Sequence, residues 1–427
     1  MRILVLTAFS VVMGCSSDTG SQSDSNAIDT GTPTDSKGID TGTPADSKGI
    51  DTGSPTTSTN SDTGSQVDST IIDTGGKTDS GVVDSGAKTD SATASDTATP
   101  TDSGVAPVDS GPPPASGLAV PPGTATVAKP TGAVGGLKVV SWAGFKAAVT
   151  YTFDDANQSQ VDHYSSLEAL GVHYTFFLIG AKVATNLSAW KQAIKDGHEI
   201  GNHTQTHDGN DGTFPGYPQD ISEGQTTIEN ALGITLYTMA APNGDAGYSS
   251  PAQTYYFMNR GVADGLYMAG NETAPSPFNG YCYIPPASAP ASDFNSEVDG
   301  AVNGGGWRVV LVHGFVGGTD GAYQPVNLSD FVSGVNYTKS KGNVWIDTYM
   351  NVGAYWRGGN AVAKATAATS GSNTTYTWTL PAHFPPGKYI RVTVTGGTPS
   401  QRGTALAWDP HGYYEVSLDA GSLTLGP

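Results

Sequence analysis

The chain has 427 residues, a formal net charge of −19 and a pI near 4.5, with 39 acidic residues against 20 basic ones. Nothing in it makes a basic stripe, which excludes nucleic acid as a partner. The length admits roughly two or three domains, but a large share of the chain is too poor in apolar side chains to fold.

Taken in chain order, Met1-Arg2 precedes an apolar run over 3–13 and then Gly14-Cys15-Ser16-Ser17. The run is too short to span a bilayer and reads as a signal peptide, residues 1–15. Val12-Met13-Gly14-Cys15 resembles a bacterial lipoprotein box. That resemblance implies acylation of Cys15 as the mature N-terminus and, with Ser16 next, sorting to the outer membrane of a Gram-negative cell. The expectation is a chain secreted across the inner membrane, held at the outer membrane or cell surface by lipid on Cys15. The alternative is an ordinary secretory signal with an incidental Cys. Only Cys282 remains besides Cys15, so a lipidated Cys15 leaves no intramolecular disulfide.

Residues 16–136 read as a disordered tether of Asp, Ser, Thr, Gly and Pro. From 16 to 129 it has no aromatic residue and carries 16 Asp against 5 Lys, which is −11 of the chain's −19. The acidity therefore belongs mainly to the tether and says little about a substrate. Residues 28–38 recur almost unchanged at 39–49, and 72–82 and 83–93 keep the same period. A calcium-binding solenoid is the alternative to a solvated spacer, but each repeat offers hardly any apolar residue to stack. As a flexible coil the tether reaches on the order of 50 to 65 Å.

From 137 the composition turns globular. Runs at 147–153, 172–179, 198–201, 234–239, 308–312 and 344–346 read as buried strands. Helical spacing is read at 158–170, 187–196, 220–232, 251–259 and 328–341. Alternating strand and helix imply parallel strands with helical crossovers, as a barrel or an open sheet. After 358 the pattern changes to short alternating runs at 376–380, 389–394, 413–418 and 422–425, separated by Gly and Pro turns. The expected organisation is an α/β domain over 137–357 and a small antiparallel β domain over 358–427. The latter reads as a carbohydrate-binding module or as a packing appendage.

The chemistry gathers where strands end. Asp154 and Asp155 close the first run, His203 and His207 follow the third at i and i+4, and His313 closes the fifth. Successive strand residues face opposite ways, so the two aspartates take different jobs unless the strand breaks there. One carboxylate and two imidazoles suit a divalent metal with a position left open. Such an ion lowers the pKa of water and polarises a carbonyl. Cys282, in an apolar setting, reads as a packed side chain rather than a nucleophile. Trp190, Trp307, Trp345 and Trp356 read as core or rim before sugar platforms, and His163, His173, His198, His383 and His411 as structural.

Thr152-Phe153-Asp154-Asp155, His203-Thr204-Gln205-Thr206-His207 and Leu311-Val312-His313 resemble, in order and spacing, the motifs of the NodB-type polysaccharide deacetylases, carbohydrate esterase family 4. The resemblance covers about residues 145 to 357 and implies a distorted (β/α) barrel. Carried over, Asp154 is the general base, Asp155, His203 and His207 hold one divalent metal, and His313 is the general acid. The metal implied is Zn2+, with Co2+, Ni2+ or Mn2+ as alternatives. Leu311 lines the acetyl pocket. Two departures stand out: Ala156 replaces the motif glycine, a modest change if its φ is negative, and Ala240-Ala241-Pro242-Asn243-Gly244 stands where an Arg-x-Pro-Tyr-Gly motif is usual. The motif arginine is thus replaced by Ala240, while Pro242 stays at the substrate and the Asn243 backbone N–H serves the oxyanion. Asp264 is the candidate for the remaining acidic motif. The function implied is removal of N-acetyl groups from a hexosamine polymer by a monomeric protein. The alternatives are an acetylxylan esterase and a weakly active or inactive carbohydrate-binding lipoprotein.

Overall fold

The computed structural model describes residues 116–209, 214 and 216–427. The signal peptide, Cys15 and residues 16–115 of the tether lie outside the described residues. No helix among the described residues is long and apolar enough to cross a membrane.

The main sheet contains β1 (Ala147–Phe153), β2 (Thr175–Leu178), β3 (Glu199–Asn202), β4 (Thr238–Ala240), β5 (Met258–Arg260), β6 (Tyr267–Met268), β7 (Gly306–Val312) and β8 (Val344–Ile346). Its order is β5-β4-β3-β2-β1-β7-β6, with β8 paired to β1, and only β6–β7 is antiparallel. The gap between β5 and β7 is filled by the segment 279–283, where Gly280 bridges Arg260 and Tyr283 bridges Val310. The sheet so closed is a distorted (β/α) barrel.

Side-chain parity sorts two cores. Val149, Tyr151 and Phe153 of β1 face outward into a layer with Trp190, Ile221, Phe294 and Phe331. These come from helices α1 (Leu187–Lys195), α2 (Tyr217–Leu232), α3 (Ala291–Gly304) and α4 (Leu328–Ser340). Ala148 faces inward with Phe177, Ala240, Met258, Trp307, Val309 and Leu311. All seven residues of β1 and of β7 are buried, as expected of parallel strands covered on both faces. Gly201 is required by close packing: a Cβ there would lie 2.4 Å from the Phe177 ring.

Low in the barrel, the buried Glu199 carboxylate accepts hydrogen bonds from Thr175 Oγ1 (2.8 Å), Thr238 Oγ1 and the Met350 N–H (2.7 Å). Desolvation nonetheless pushes its pKa above the ordinary carboxylate range, with those bonds pulling the other way.

Two further antiparallel sheets share an apolar cluster with the barrel interior and form a β sandwich. One sheet orders Lys138–Val139, Tyr389–Thr393, Tyr413–Ser417 and Trp408–Asp409; the other orders Thr366–Ser370, Asn373–Thr377, Ser422–Gly426, Thr398–Gln401 and Thr404–Ala405. Helix α5 (Tyr349–Ala363) joins it to the barrel, its Tyr355 hydroxyl donating to Val140 O (2.6 Å). The interior of the barrel and of the sandwich form one apolar cluster.

Three expectations are corrected here. Residues 116–136 are not free tether: Arg391, buried, donates to the carbonyls of Ala119 (2.8 Å) and Ala143 (2.7 Å), and Gly132 N–H donates to Thr395 O (3.2 Å). A boundary at 358 falls inside α5, whose buried Gly358 and Gly359 allow the sandwich close approach; a Cβ on Gly358 would meet Leu418 at 2.4 Å. The helix expected at 251–259 is only Ser249–Ala252, followed by strand β5. A short apolar run carries no periodicity that separates the two, and pairing with β4 decided it.

Candidate active site and metal centre

The C-terminal ends of the barrel strands carry the predicted residues. β1 ends at Phe153, and the chain breaks out of the sheet through Asp155 (φ 75°) and Ala156 (φ 55°). Asp154 keeps the inward parity of Ala148 and is 2% exposed; Asp155 is thrown aside by the turn and is partly exposed. The strand does break between the aspartates, and they meet different partners. Gln160 Nε2 donates to both Asp154 O (2.6 Å) and His313 O (2.8 Å), and Asn157 Nδ2 also donates to His313 O (2.8 Å). Two amides just after the motif therefore lock the backbones of β1 and β7 together, a role not visible in the sequence.

His203 and His207 project from a loop rather than a helix, with positive φ at Thr204 and His207. Asp220, in the first turn of α2, holds this loop: one carboxylate oxygen accepts from Gln205 N (3.1 Å), Thr206 N (2.8 Å) and Thr206 Oγ1 (2.8 Å), and the other accepts from the Tyr248 hydroxyl (2.7 Å). The helix can press this close because residue 224 is glycine; a Cβ there would lie 2.5 Å from the Thr204 carbonyl carbon.

His203 is buried and its Nδ1 lies 2.9 Å from Ala240 O. A carbonyl only accepts, so Nδ1 carries the proton and, in the neutral ring, Nε2 offers a lone pair. That nitrogen is 3.4 Å from Asp155 Oδ1, and His207 Nε2 is 3.3 Å from the same oxygen. Oδ1 is buried and makes no hydrogen bond. The three residues place one donor atom each within 4.8 Å of one another. An orphaned carboxylate oxygen facing two imidazole nitrogens fits a divalent cation. Burial works against charge on Asp155, but the adjacent imidazoles outweigh it and hold its pKa well below the ordinary range. Burial likewise lowers His203, and the Asp154 and Asp155 carboxylates more than reverse it.

His313 has its pKa lowered by burial, against the pull of Asp154 and Asp155. Its ring meets Tyr323 edge-on at 5.3 Å, and Tyr323 is 60% exposed. Leu311 is buried two residues before His313 on the same strand face. Pro242 is buried and Asn243 has φ 53°, its side chain donating to Gly209 O (2.9 Å). Ala156 has positive φ, so the condition under which its methyl is a modest change is not met.

Residues 144–255 match the family model for polysaccharide deacetylase. Over that stretch the chain is similar to the polysaccharide deacetylases. Outside that span, the deacetylase match leaves β7 and His313 to the geometry. The chain is 30% identical over 132 residues to a gellan lyase from a Bacillus species, covering 30% of this chain and 5% of that protein. It is 58% identical over 33 residues to a peptidoglycan-N-acetylglucosamine deacetylase from Bacillus cereus, covering 8% of this chain and 16% of the relative. The chain thus spans a small part of either curated relative. Among solved structures, a family 4 carbohydrate esterase from Streptomyces lividans aligns at 20% identity and a TM-score of 0.34, over 48% of this chain and 92% of that one.

One of the predicted residues is not brought to the candidate site. Asp264 pairs with Arg308, which also meets Glu297 (2.5 Å), and among the described residues it contacts none of the carboxylates or imidazoles above. The sequence reading also missed Arg260. Its buried guanidinium pairs with Asp154 Oδ2 and lies 5.6 Å over the Phe177 ring. Cys282, 1% exposed beside it, has its thiol pushed up to about 11 by burial, which fits a packed side chain. Trp190, Trp307, Trp345 and Trp356 are likewise buried.

Proposed function

We propose that the protein is a metal-dependent hydrolase that removes acetyl groups from a polysaccharide, with N-acetyl groups of a hexosamine polymer as the first substrate class. The observation that carries this is Asp155 Oδ1 standing unpartnered between His203 and His207, with Asp154 and His313 at the same barrel end. Asp155, His203 and His207 would hold the ion, zinc by its donor set. When bound, it supplies Lewis acidity and a lowered water pKa.

Asp154, its Oδ2 engaged by Arg260, accepts the proton of the attacking water. The water oxygen bonds to the acetyl carbonyl carbon, and the Asn243 backbone N–H donates to the developing oxyanion. No acceptor is found for that N–H among the described residues. His313 gives a proton to the leaving nitrogen as the C–N bond breaks, so that acetate and an amine depart. With an ester the same steps release an alcohol, which keeps acetylxylan as the second reading. Anchoring through lipid on Cys15 completes the proposal, since polysaccharides of the envelope lie outside the inner membrane.

Acetate release from acetylated chito-oligosaccharide and from acetylxylan, with Asp154→Ala as control, tests the substrate class. Faster turnover of the amide supports the first reading, faster turnover of the ester the second. Release from neither by zinc-loaded protein contradicts both.

A further inference from the structure

The position where deacetylase motifs carry an arginine is Ala240, yet the Asp154 carboxylate is not without a cation. β4 and β5 pair in parallel with Ala240 directly opposite Arg260, and Ala241 N–H donates to Arg260 O (2.9 Å). Both residues face the barrel interior. Going round the barrel, His203 contacts Ala240 O and Ala240 adjoins Arg260, whose guanidinium reaches Asp154 Oδ2. Arg260 is fully buried, and Asp154 is the only carboxylate it meets among the described residues; its other contacts are Gly261 O (3.1 Å) and Cys282 Sγ (4.0 Å). Asp154 Oδ1 is left without a partner.

We infer that Arg260 is the positioning residue of this site: delivered from the strand next to the usual one, it engages Asp154 Oδ2, leaves Oδ1 as the working oxygen, and neutralises a carboxylate beside the metal ligands. Two buried charges in contact are retained at a cost in desolvation, and removing one leaves the other uncompensated. The alanine at 240 belongs to the same device. A long side chain there would contest the space through which the Arg260 guanidinium passes. The catalytic part of the inference rests on the deacetylase reading; the charge part does not.

Zinc affinity, by competition with a chromophoric chelator, and kcat and KM on an acetylated substrate are measured for the full chain, R260A, R260K and the double variant A240R/R260A. In R260A the bare Asp154 carboxylate tightens zinc binding by about tenfold or more. kcat falls by about 100-fold while KM stays within about threefold. The double variant returns the cation from the paired position, restoring zinc affinity to within about threefold and kcat by at least about tenfold. Unchanged zinc affinity and kcat in R260A, or a double variant that restores neither, overturns the inference. Should R260A not fold, R260K decides: the ammonium keeps the charge but loses the fork, so kcat falls at unaltered zinc affinity, and full kcat overturns the inference. Zinc shifts as expected in a wild-type chain that releases no acetate would refute the deacetylase reading and leave the pairing of Arg260 with Asp154 standing.

Discussion

Replacing Asp220 tests whether the metal loop is held from α2. In Asp220→Ala, four donors lose an acceptor. Gln205 N–H retains the Asp220 carbonyl (3.0 Å) and the Tyr248 hydroxyl retains Asp208 O (2.6 Å), so the loss concentrates on Thr206 N–H and Thr206 Oγ1. Thr206 is exposed, and water can substitute in part. Hydrogen bonds to a charged acceptor contribute about 1.5–3 kcal/mol each, so with solvent compensation the variant loses about 1–3 kcal/mol. Asp220→Asn keeps an oxygen for the three loop donors and turns an NH2 toward Tyr248, whose hydroxyl can accept while donating to Asp208 O. It should lose less than about 1 kcal/mol. Because the lost bonds all order the His203 to His207 loop, zinc affinity falls with stability, by on the order of tenfold in the alanine variant. Urea unfolding of the zinc-free chain and chelator competition read the two quantities. Equal losses in both variants, or an alanine variant with unaltered zinc affinity, would refute the reasoning.

Further predictions concern strain, pH and the rim. Ala156→Gly relieves a left-handed backbone at about 1–2 kcal/mol but gives up a buried methyl at about 0.8 and adds unfolded-state freedom, so stability changes by less than about 1 kcal/mol in urea; a gain of about 2 would show the strain account to be incomplete. Glu199 has a raised folded pKa, so its contribution is full below 4.5 and is lost as pH rises through the folded value. Glu199→Gln should therefore be more stable than wild type in urea at pH 8 and equal to it at pH 4; a gain independent of pH counts against that. Tyr323→Ala removes an exposed ring beside His313 and should raise KM by about threefold to tenfold with little change in kcat, if sugar stacks on it; an unaltered KM removes Tyr323 from the binding surface.

What the sequence could and could not disclose follows from locality. Asp154, Asp155, His203, His207 and His313 are legible because chelating spacing and strand ends are local. Arg260 is not, because its importance comes from register with Ala240, which pairing alone defines. Asp220 is hidden for a similar reason: it looks like any acid in the first turn of a helix. Helix α5 was missed because it is buried nearly all round and carries three glycines, so it shows neither amphipathic period nor propensity. The sign of φ at Ala156 is likewise a property of the turn and not of the residue.

The central claim is that a cation held by Asp155, His203 and His207 is needed for deacetylation. Acetate release by the full chain before chelation, after chelation and after zinc is restored measures it directly, with His203→Ala in parallel. The account predicts activity lost on chelation, recovered with zinc, and not recovered in His203→Ala; undiminished release from the chelated chain would contradict it.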